Sequence, residues 1–106
     1  MDALREKQSR FAMMVADLIH EADRLGYQVT LGDCYRDGRC DYGHTTSLHR
    51  KRLAVDLNLF RDGRFLKHTE DHKPLGVFWE SIGGSWGGRF SSPDGNHYSL
   101  EHRGMR

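Results

Sequence analysis

The sequence lacks a long hydrophobic run. No segment of its 106 residues approaches the roughly 18–20 consecutive apolar residues that a helix needs to span a bilayer. The first residues mix acidic and basic side chains, and no apolar signal-peptide core follows them. We therefore expect a chain with no membrane span and no signal peptide, made in the cytoplasm.

Cysteine is also scarce, since the chain contains only Cys34 and Cys40. Their spacing does not match the pairs of a zinc ribbon, and two cysteines cannot form a disulfide scaffold. In a cytosolic chain we expect two free thiols, while a disulfide formed after release into an oxidising space stays open as an alternative.

An excess of charge of either sign is absent. The formal net charge is +1, so the chain has no global field that would attract nucleic acid. The basic run Arg50-Lys51-Arg52 would suit a nucleic-acid-binding module, but it is short and leads straight into a predicted strand. A solvated edge is the favoured interpretation, and we expect no nucleic-acid partner.

No Ser/Pro-rich linker, internal repeat or low-complexity tract divides the sequence. A chain of this length forms one domain with one modest core, and its composition is ordinary for a globular protein. We expect a single domain over residues 1–106 that is a monomer. The count of seven histidines is high and turns attention to metal or acid–base chemistry.

The first third of the chain predicts a helix followed by a strand. Residues 2–25 carry apolar side chains at spacings of three and four, which is typical of an amphipathic helix. Gly26 follows where a helix commonly ends in the left-handed conformation, and residues 27–31 favour a short strand. Residues 32–46 have no hydrophobic period and predict a long loop, often a functional feature. The helix stripe comprises Phe11, Met14, Val15, Leu18, Ile19, Ala22 and Leu25.

The remainder predicts an antiparallel sheet with a second helix. In residues 53–60, leucine and valine alternate with Ala54, Asp56 and Asn58, so one face is apolar. The turn Arg61-Asp62-Gly63-Arg64 predicts a hairpin to a return strand. A helix is predicted from about Pro74 to the stop at Gly83-Gly84, and residues 97–101 predict a last strand. The fold class is α+β, with helices on one face of the sheet.

Asp56 is the first residue that suggests chemistry. Aspartate is depleted in strands, and this side chain faces away from the predicted core. His49 stands seven residues earlier, where the loop gives way to the strand. Imidazole and carboxylate are both good zinc ligands and could converge on one cation. An exposed strand aspartate beside an unrelated surface histidine is the alternative.

The second candidate group lies near the C-terminal strand. His97 shares a strand face with Ser99 and Glu101, whereas Leu100 marks the other face as the core side. His97 is therefore the better candidate for a polar cleft. Asp94, three residues upstream across a turn, could handle a proton there, because catalytic zinc sites combine three protein ligands with a nearby carboxylate base.

Two motifs carry a resemblance to a known family. Ser47-x-His49-x6-Asp56, with Ala54-Val55-Asp56-Leu57 around the aspartate, resembles the S-x-H-x6-D signature of the D-alanyl-D-alanine carboxypeptidase family. That family includes VanY-type carboxypeptidases and the L-alanyl-D-glutamate peptidases of phage endolysins. Residues 78–90, FWESIGGSWGGRF, resemble the endolysin branch, where such a segment precedes a D-x-x-H motif, here Asp94-Gly95-Asn96-His97. The resemblance extends over about residues 27–98.

The resemblance implies a zinc ion on His49, Asp56 and His97, in a cleft on the sheet face opposite the helices, with Asp94 as the catalytic acid and base. It implies a zinc-dependent peptidase that cuts peptidoglycan stem peptides after release or holin-type export. The phage-like segment favours an L-alanyl-D-glutamate endopeptidase of cell-wall lysis, with a D-alanyl-D-alanine carboxypeptidase second. A non-catalytic zinc-binding module on the same fold is the alternative from another class, but a structural site would need no free carboxylate.

The family also has an arginine after its early strand, a position matched by Arg36. The resemblance implies that Arg36 binds substrate or stabilises developing negative charge, since a guanidinium suits both a carboxylate and an oxyanion. A solvated loop arginine is the alternative, with Arg39 as the substitute. Ser47 of the first motif is expected to help bind substrate.

Two features depart from the family pattern. We expect no separate wall-binding domain, so wall binding is expected to come from the catalytic domain or from a partner. The family often has His-Phe-Glu after the second motif, whereas this chain continues to Glu101 and His102. A rival assignment therefore makes Glu101 the base and His102 the ligand. Strand alternation opposes it, because these neighbours would face opposite ways unless the strand bulges.

The remaining histidines and both tryptophans receive plainer interpretations. Trp79 and Trp86 are expected in the core or the cleft wall. These histidines lie in helical or polar segments and are expected to be structural or exposed: His20, His44, His68 and His72. His44 is also a possible cleft residue.

Overall fold

A computed structural model describes residues 3–32, 48–49 and 51–106. No helix in these ranges is long and apolar enough to cross a membrane. The expected long loop and several predicted residues lie outside the described residues: Cys34, Arg36, Arg39, Cys40, His44, Ser47 and Arg50.

Helix α1 spans Ala3–Arg24, as the apolar spacing predicts. Its buried side chains are Phe11, Met14, Leu18 and Ala22, while Ile19 remains 36% exposed at the margin of the stripe. The helix ends in the expected left-handed glycine, with Gly26 at φ +87°. The N–H of Gly26 donates to Asp23 and that of Tyr27 to Ala22, which is the paired hydrogen bonding of a Schellman cap.

Strand β1 spans Gln28–Leu31 and pairs antiparallel with β2, which spans Ala54–Arg61. A two-residue turn then leads into β3, Arg64–Leu66. Asp62 and Gly63 have φ values of +52° and +77°. Two positive values suit the right-handed twist of a tight hairpin, so the Asp-Gly signal correctly predicted this turn.

A short 3-10 turn at Thr69–His72 leads into helix α2, Lys73–Ser81. Pro74 occupies the first turn, where its missing N–H costs no helical hydrogen bond. Gly83, at φ +103°, lies just beyond the helix and allows the chain to reverse. The predicted bounds of this helix are therefore confirmed.

Two short strands complete the sheet. Strand β4 spans Ser85–Trp86, a 3-10 turn covers Gly87–Arg89, and β5 spans His97–Ser99. The strand order is β1-β2-β5-β4, with β3 paired to β2, and every pairing is antiparallel. Strand β5 is shorter than the predicted residues 97–101.

One core cluster joins the helices to the sheet. Both helices contribute to it, and β2 contributes the apolar side chains of its alternating pattern. Trp79 is fully buried, and its indole N–H donates to the backbone oxygens of Ser85 and Ser99. The fold class is α+β, as expected: two helices packed with one antiparallel sheet.

Candidate metal centre

The centre of the site is the pairing of β2 with β5. In this antiparallel register Asp56 lies directly opposite His97. Because side chains alternate along a strand, Asp56 points away from the core face that carries Val55 and Leu57. Cross-strand partners of this kind have closely spaced side chains. The pairing therefore brings a carboxylate and an imidazole together from distant parts of the sequence.

His49 approaches the same point from the turn that precedes β2. Leu48 is buried in the core, and its carbonyl accepts hydrogen bonds from the N–H groups of Lys51 and Leu53. The carbonyl of His49 accepts from Arg52, which adopts a positive φ of 57°. This tight turn holds the His49 ring beside the sheet, where the residue is only 2% exposed.

The three donor groups converge. His49 Nε2 lies 3.4 Å and His97 Nδ1 lies 3.6 Å from the same oxygen, Asp56 Oδ1. One ligand atom from each residue lies within 4.8 Å of the others. Donors bound tetrahedrally about 2.1 Å from a zinc ion are separated by about 3.4 Å. Two imidazoles and one carboxylate at these distances fit a divalent metal ion of this kind.

The electrostatics of Asp56 suit a cation-binding role. Burial raises the pKa of its carboxyl, but the His49 and His97 side chains beside it outweigh burial and lower the pKa to about 2. The carboxylate is thus ionised at neutral pH. An ionised carboxylate is the form that binds a metal ion.

Asp94 is exposed and lies on the loop that leads into β5. The carbonyl of Gly87 accepts hydrogen bonds from the N–H groups of Phe90 and Asp94, at 3.1 and 2.9 Å. The carbonyl of Asp94 in turn accepts from the His97 N–H at 3.1 Å. The Trp86 indole donates to Gly95 at 2.8 Å. These bonds hold in place the loop that carries Asp94 and leads to His97.

A cleft of about 200 Å³ adjoins Asp94. Its polar lining includes Asn58, on the same face of β2 as Asp56, and Asn96. Lys67 and His72 line it as well. Asp94 therefore borders a space that a small polar group can enter. A base that acts on a substrate requires such access.

The rival residues lie elsewhere. Glu101 is exposed, and His102 forms a bridge with Met105. The His102 Nδ1 lies 3.5 Å from the Lys7 ammonium. Within the part of the chain that the structure describes, neither residue joins the group formed by His49, Asp56 and His97. Arg36 and Ser47 fall outside the described residues, so their expected roles remain predictions.

Sequence reasoning missed two neighbours of the site. The Phe90 ring packs on His97, with centroids 5.4 Å apart, and the Arg106 guanidinium lies 5.4 Å from the centre of the Phe90 ring. His72, expected to be structural or exposed, is only 3% exposed and shares a 2.8 Å hydrogen bond with the Tyr98 hydroxyl. Phe90 belonged to the segment that carried the family resemblance, but no sequence signal marked its contacts.

A family model described as D-alanyl-D-alanine carboxypeptidase matches residues 41–100, more than half of the chain. Among the curated proteins, none matches the chain significantly. The matched stretch contains His49, Asp56, Asp94 and His97, whereas Arg36 and Arg106 lie outside it. The match agrees with the resemblance noted in the sequence motifs. The chain therefore belongs to the D-alanyl-D-alanine carboxypeptidase family of peptidases.

Proposed function

We propose that this chain is a zinc-dependent peptidase that cleaves peptidoglycan stem peptides, with the metal bound by His49, Asp56 and His97. The observation that carries the proposal is the approach of two imidazole nitrogens to one carboxylate oxygen, at 3.4 and 3.6 Å. All three residues lie within the stretch that the peptidase family model matches. Family membership supports the reaction class, and the donor set supports the metal.

Each proposed site residue has a defined task in this proposal. Zinc bound at such a site supplies an activated water and polarises the scissile carbonyl. Asp94 accepts the proton of the attacking water and donates a proton to the departing amine. Its exposure on the rim of the 200 Å³ cleft supports that role, because the group must reach both substrate and solvent. Arg36 and Ser47 remain the proposed substrate-binding pair.

Two bonds are candidates for cleavage. The tryptophan–glycine segment at residues 78–90 favours an L-alanyl-D-glutamate endopeptidase of the phage endolysin type, which would reach the wall after release or holin-type export. The matched family model carries the description of a D-alanyl-D-alanine carboxypeptidase, which keeps that activity as the second candidate.

A non-catalytic zinc module on this fold is less well supported. A structural zinc site closes its coordination with a fourth protein ligand. Within the described residues, the group around Asp56 offers three candidate ligands, and Asp94 is an exposed carboxylate on an adjoining loop. Three ligands with a nearby base are typical of a hydrolytic site.

Mass spectrometry of digested peptidoglycan tests the proposal. Purified wall material is incubated with the zinc-loaded protein, with and without a chelator, and the new chain ends are identified. New amino termini on D-glutamate would establish the endopeptidase, and loss of terminal D-alanine the carboxypeptidase. An unchanged wall under both conditions, from a folded and zinc-loaded protein, would contradict the proposed function.

A further inference from the structure

A second pocket lies beside Phe90, whose ring also contacts the metal centre. The pocket has a volume of about 430 Å³ and is lined by Phe90, Ser91, Ser92, Gly104 and Arg106. The Phe90 ring packs on His97, and the Arg106 guanidinium lies against the same ring. A single aromatic ring therefore connects a candidate metal ligand with a permanent positive charge.

The Arg106 residue is exposed. Among the described residues the guanidinium has no ion-pair partner, and it makes a cation–π contact with Phe90. The pocket lining contains no acidic side chain among those residues, and Ser91 and Ser92 add hydroxyl groups. A guanidinium beside hydroxyl donors is suited to bind a carboxylate.

The backbone before Arg106 is held in place. The N–H groups of His102 and Met105 each donate to the other residue's carbonyl at 2.9 Å, which closes a tight turn. Gly104, at φ +82°, supplies the conformation that the turn needs, and the Met105 side chain packs against the core. Arg106 follows this turn directly, and its guanidinium lies 5.4 Å from the centre of the Phe90 ring.

Both candidate substrates offer a carboxylate near the bond that is cut. In D-alanyl-D-alanine, the residue after the scissile bond is terminal and carries a free carboxylate. In L-alanyl-D-glutamate, that residue has two carboxyl groups, and the peptide continues through only one of them. The residue on the leaving side of the scissile bond is therefore anionic in either case.

We propose that Arg106 is a specificity-determining residue that binds the free carboxylate of the residue following the scissile bond. The inference rests on the proposed function for its substrate class. Arg106 lies outside residues 41–100, so family membership assigns it no role. The contact series from His97 through Phe90 to Arg106 carries the inference. It puts a single aromatic ring between a candidate metal ligand and a cation that has no ion-pair partner among the described residues.

Matched peptides test this inference through kinetics. The probes are N-acetyl-L-alanyl-D-glutamate extended through its γ-carboxyl by L-lysine, the same peptide with an α-carboxamide on glutamate, and the corresponding pair ending in D-alanyl-D-alanine. For the pair that the enzyme cleaves, we expect KM to be about tenfold lower for the carboxylate. Arg106→Ala should abolish that difference and change kcat less than about twofold. Arg106→Lys should keep part of it, because the charge remains without the planar fork.

Arg103→Ala is the matched control, since it removes an exposed arginine from the same turn. It should keep the wild-type preference. Zinc content and melting temperature of both variants check that Phe90 and His97 are undisturbed. Equal losses on the carboxylate and carboxamide peptides in Arg106→Ala, or an unchanged preference, would overturn the assignment.

A binding measurement separates failure of this inference from failure of the proposed function. The same peptides are titrated into the zinc-loaded protein under conditions where turnover is negligible, and binding is followed by NMR. Tighter binding of the carboxylate peptide by the wild type, lost in Arg106→Ala, would support the inference even if neither peptide is cleaved. Binding that does not distinguish carboxylate from carboxamide would overturn it, whatever the enzyme cleaves.

Discussion

At the scale of single residues, two aspartates near His97 have different surroundings. Asp56 is largely buried between two imidazoles, which hold the pKa of its carboxyl at about 2. Asp94 is exposed on a loop beside a polar cleft. The first environment suits a permanent anion that binds a cation, and the second suits a group that exchanges protons with solvent and substrate.

Substitution by asparagine should separate these roles. Asp94→Asn keeps the size of the side chain but removes the proton acceptor, so zinc content and melting temperature should be retained. Activity should fall by roughly a hundred- to ten-thousandfold. Asp56→Asn weakens a proposed ligand, so zinc affinity and activity should fall together. Metal analysis, a thermal melt and a turbidity assay on wall fragments measure all three properties.

A fully active Asp94→Asn protein would remove Asp94 from the mechanism. Glu101, which lies two residues beyond β5 and is exposed, would then become the candidate base.

The histidine assignment has its own pair of variants. His97→Ala should lose most of the bound zinc, because it removes one of three converging donors. His102→Ala should retain it, since that ring lies beside Lys7 and Met105. Metal content by mass spectrometry is the measurement. Retention in the first variant with loss in the second would favour the rival assignment.

At the scale of elements, the turn between β4 and β5 is packed too tightly for a side chain at Gly87. A Cβ atom there would overlap the Asp94 carbonyl oxygen and come within 2.8 Å of the His97 Cβ. Gly87→Ala should therefore displace both residues, lowering zinc affinity and reducing activity at least about tenfold. Zinc titration and the wall assay measure the two effects.

Gly63→Ala is the control for this substitution. Gly63 lies in the β2–β3 hairpin, where an added methyl group would have nothing within 4 Å, but its φ is +77°. Alanine there should cost about 1 kcal/mol of stability through backbone strain and leave zinc binding intact. Equal zinc affinity in the two variants would show that crowding at Gly87 does not position the site.

The sequence predicted the elements whose signals are local. The Asp62-Gly63 turn and the Gly26 cap each need a left-handed backbone, and the glycine at each place predicts that conformation from the sequence. Asp56 in an apolar strand and the spacing to His49 likewise marked half of the candidate site. Strand β4, with only two residues, has no measurable period.

Other features depend on tertiary contacts that no local pattern encodes. His72 is buried because it meets Tyr98 from a distant strand, and Phe90 reaches His97 because the Gly87 carbonyl closes the intervening loop. Arg106 contacts Phe90, which is distant in sequence, after a turn that two backbone hydrogen bonds close. These contacts form only when the sheet is assembled, so they required the structure.

At the scale of the whole molecule, stability should depend on pH through His72. Burial lowers the pKa of this imidazole to about 4, against a smaller opposing effect of Asp71. In the unfolded chain the same imidazole has a pKa of about 6.5, so as the pH falls it binds its proton before the folded protein does. The contribution of His72 to the free energy of unfolding should therefore be fully present above about pH 6.5. The free energy of unfolding should fall by roughly 1–3 kcal/mol as the pH drops to about 4.

Denaturant melts of metal-free protein at about pH 7 and about pH 4.5, on either side of most of this transition, measure the effect. His72→Gln should show a smaller difference between the two pH values. Tyr98→Phe removes the hydroxyl partner but leaves the imidazole buried, so it should keep the pH dependence. An unchanged dependence on pH in His72→Gln would assign the acid sensitivity to other groups.

The monomeric state and the absence of nucleic-acid binding also stay predictions.

The pairing of Asp56 with His97 has a consequence for how the chain assembles. His49 and Asp56 come from neighbouring positions, but the third donor arrives only when the last strand docks beside β2. An ion bound by all three residues would link β5, near the end of the chain, to β2 and to the turn that carries His49. Because the complete site exists only after docking, ion release should show mainly as faster unfolding and easier proteolysis, with little change in folding rate.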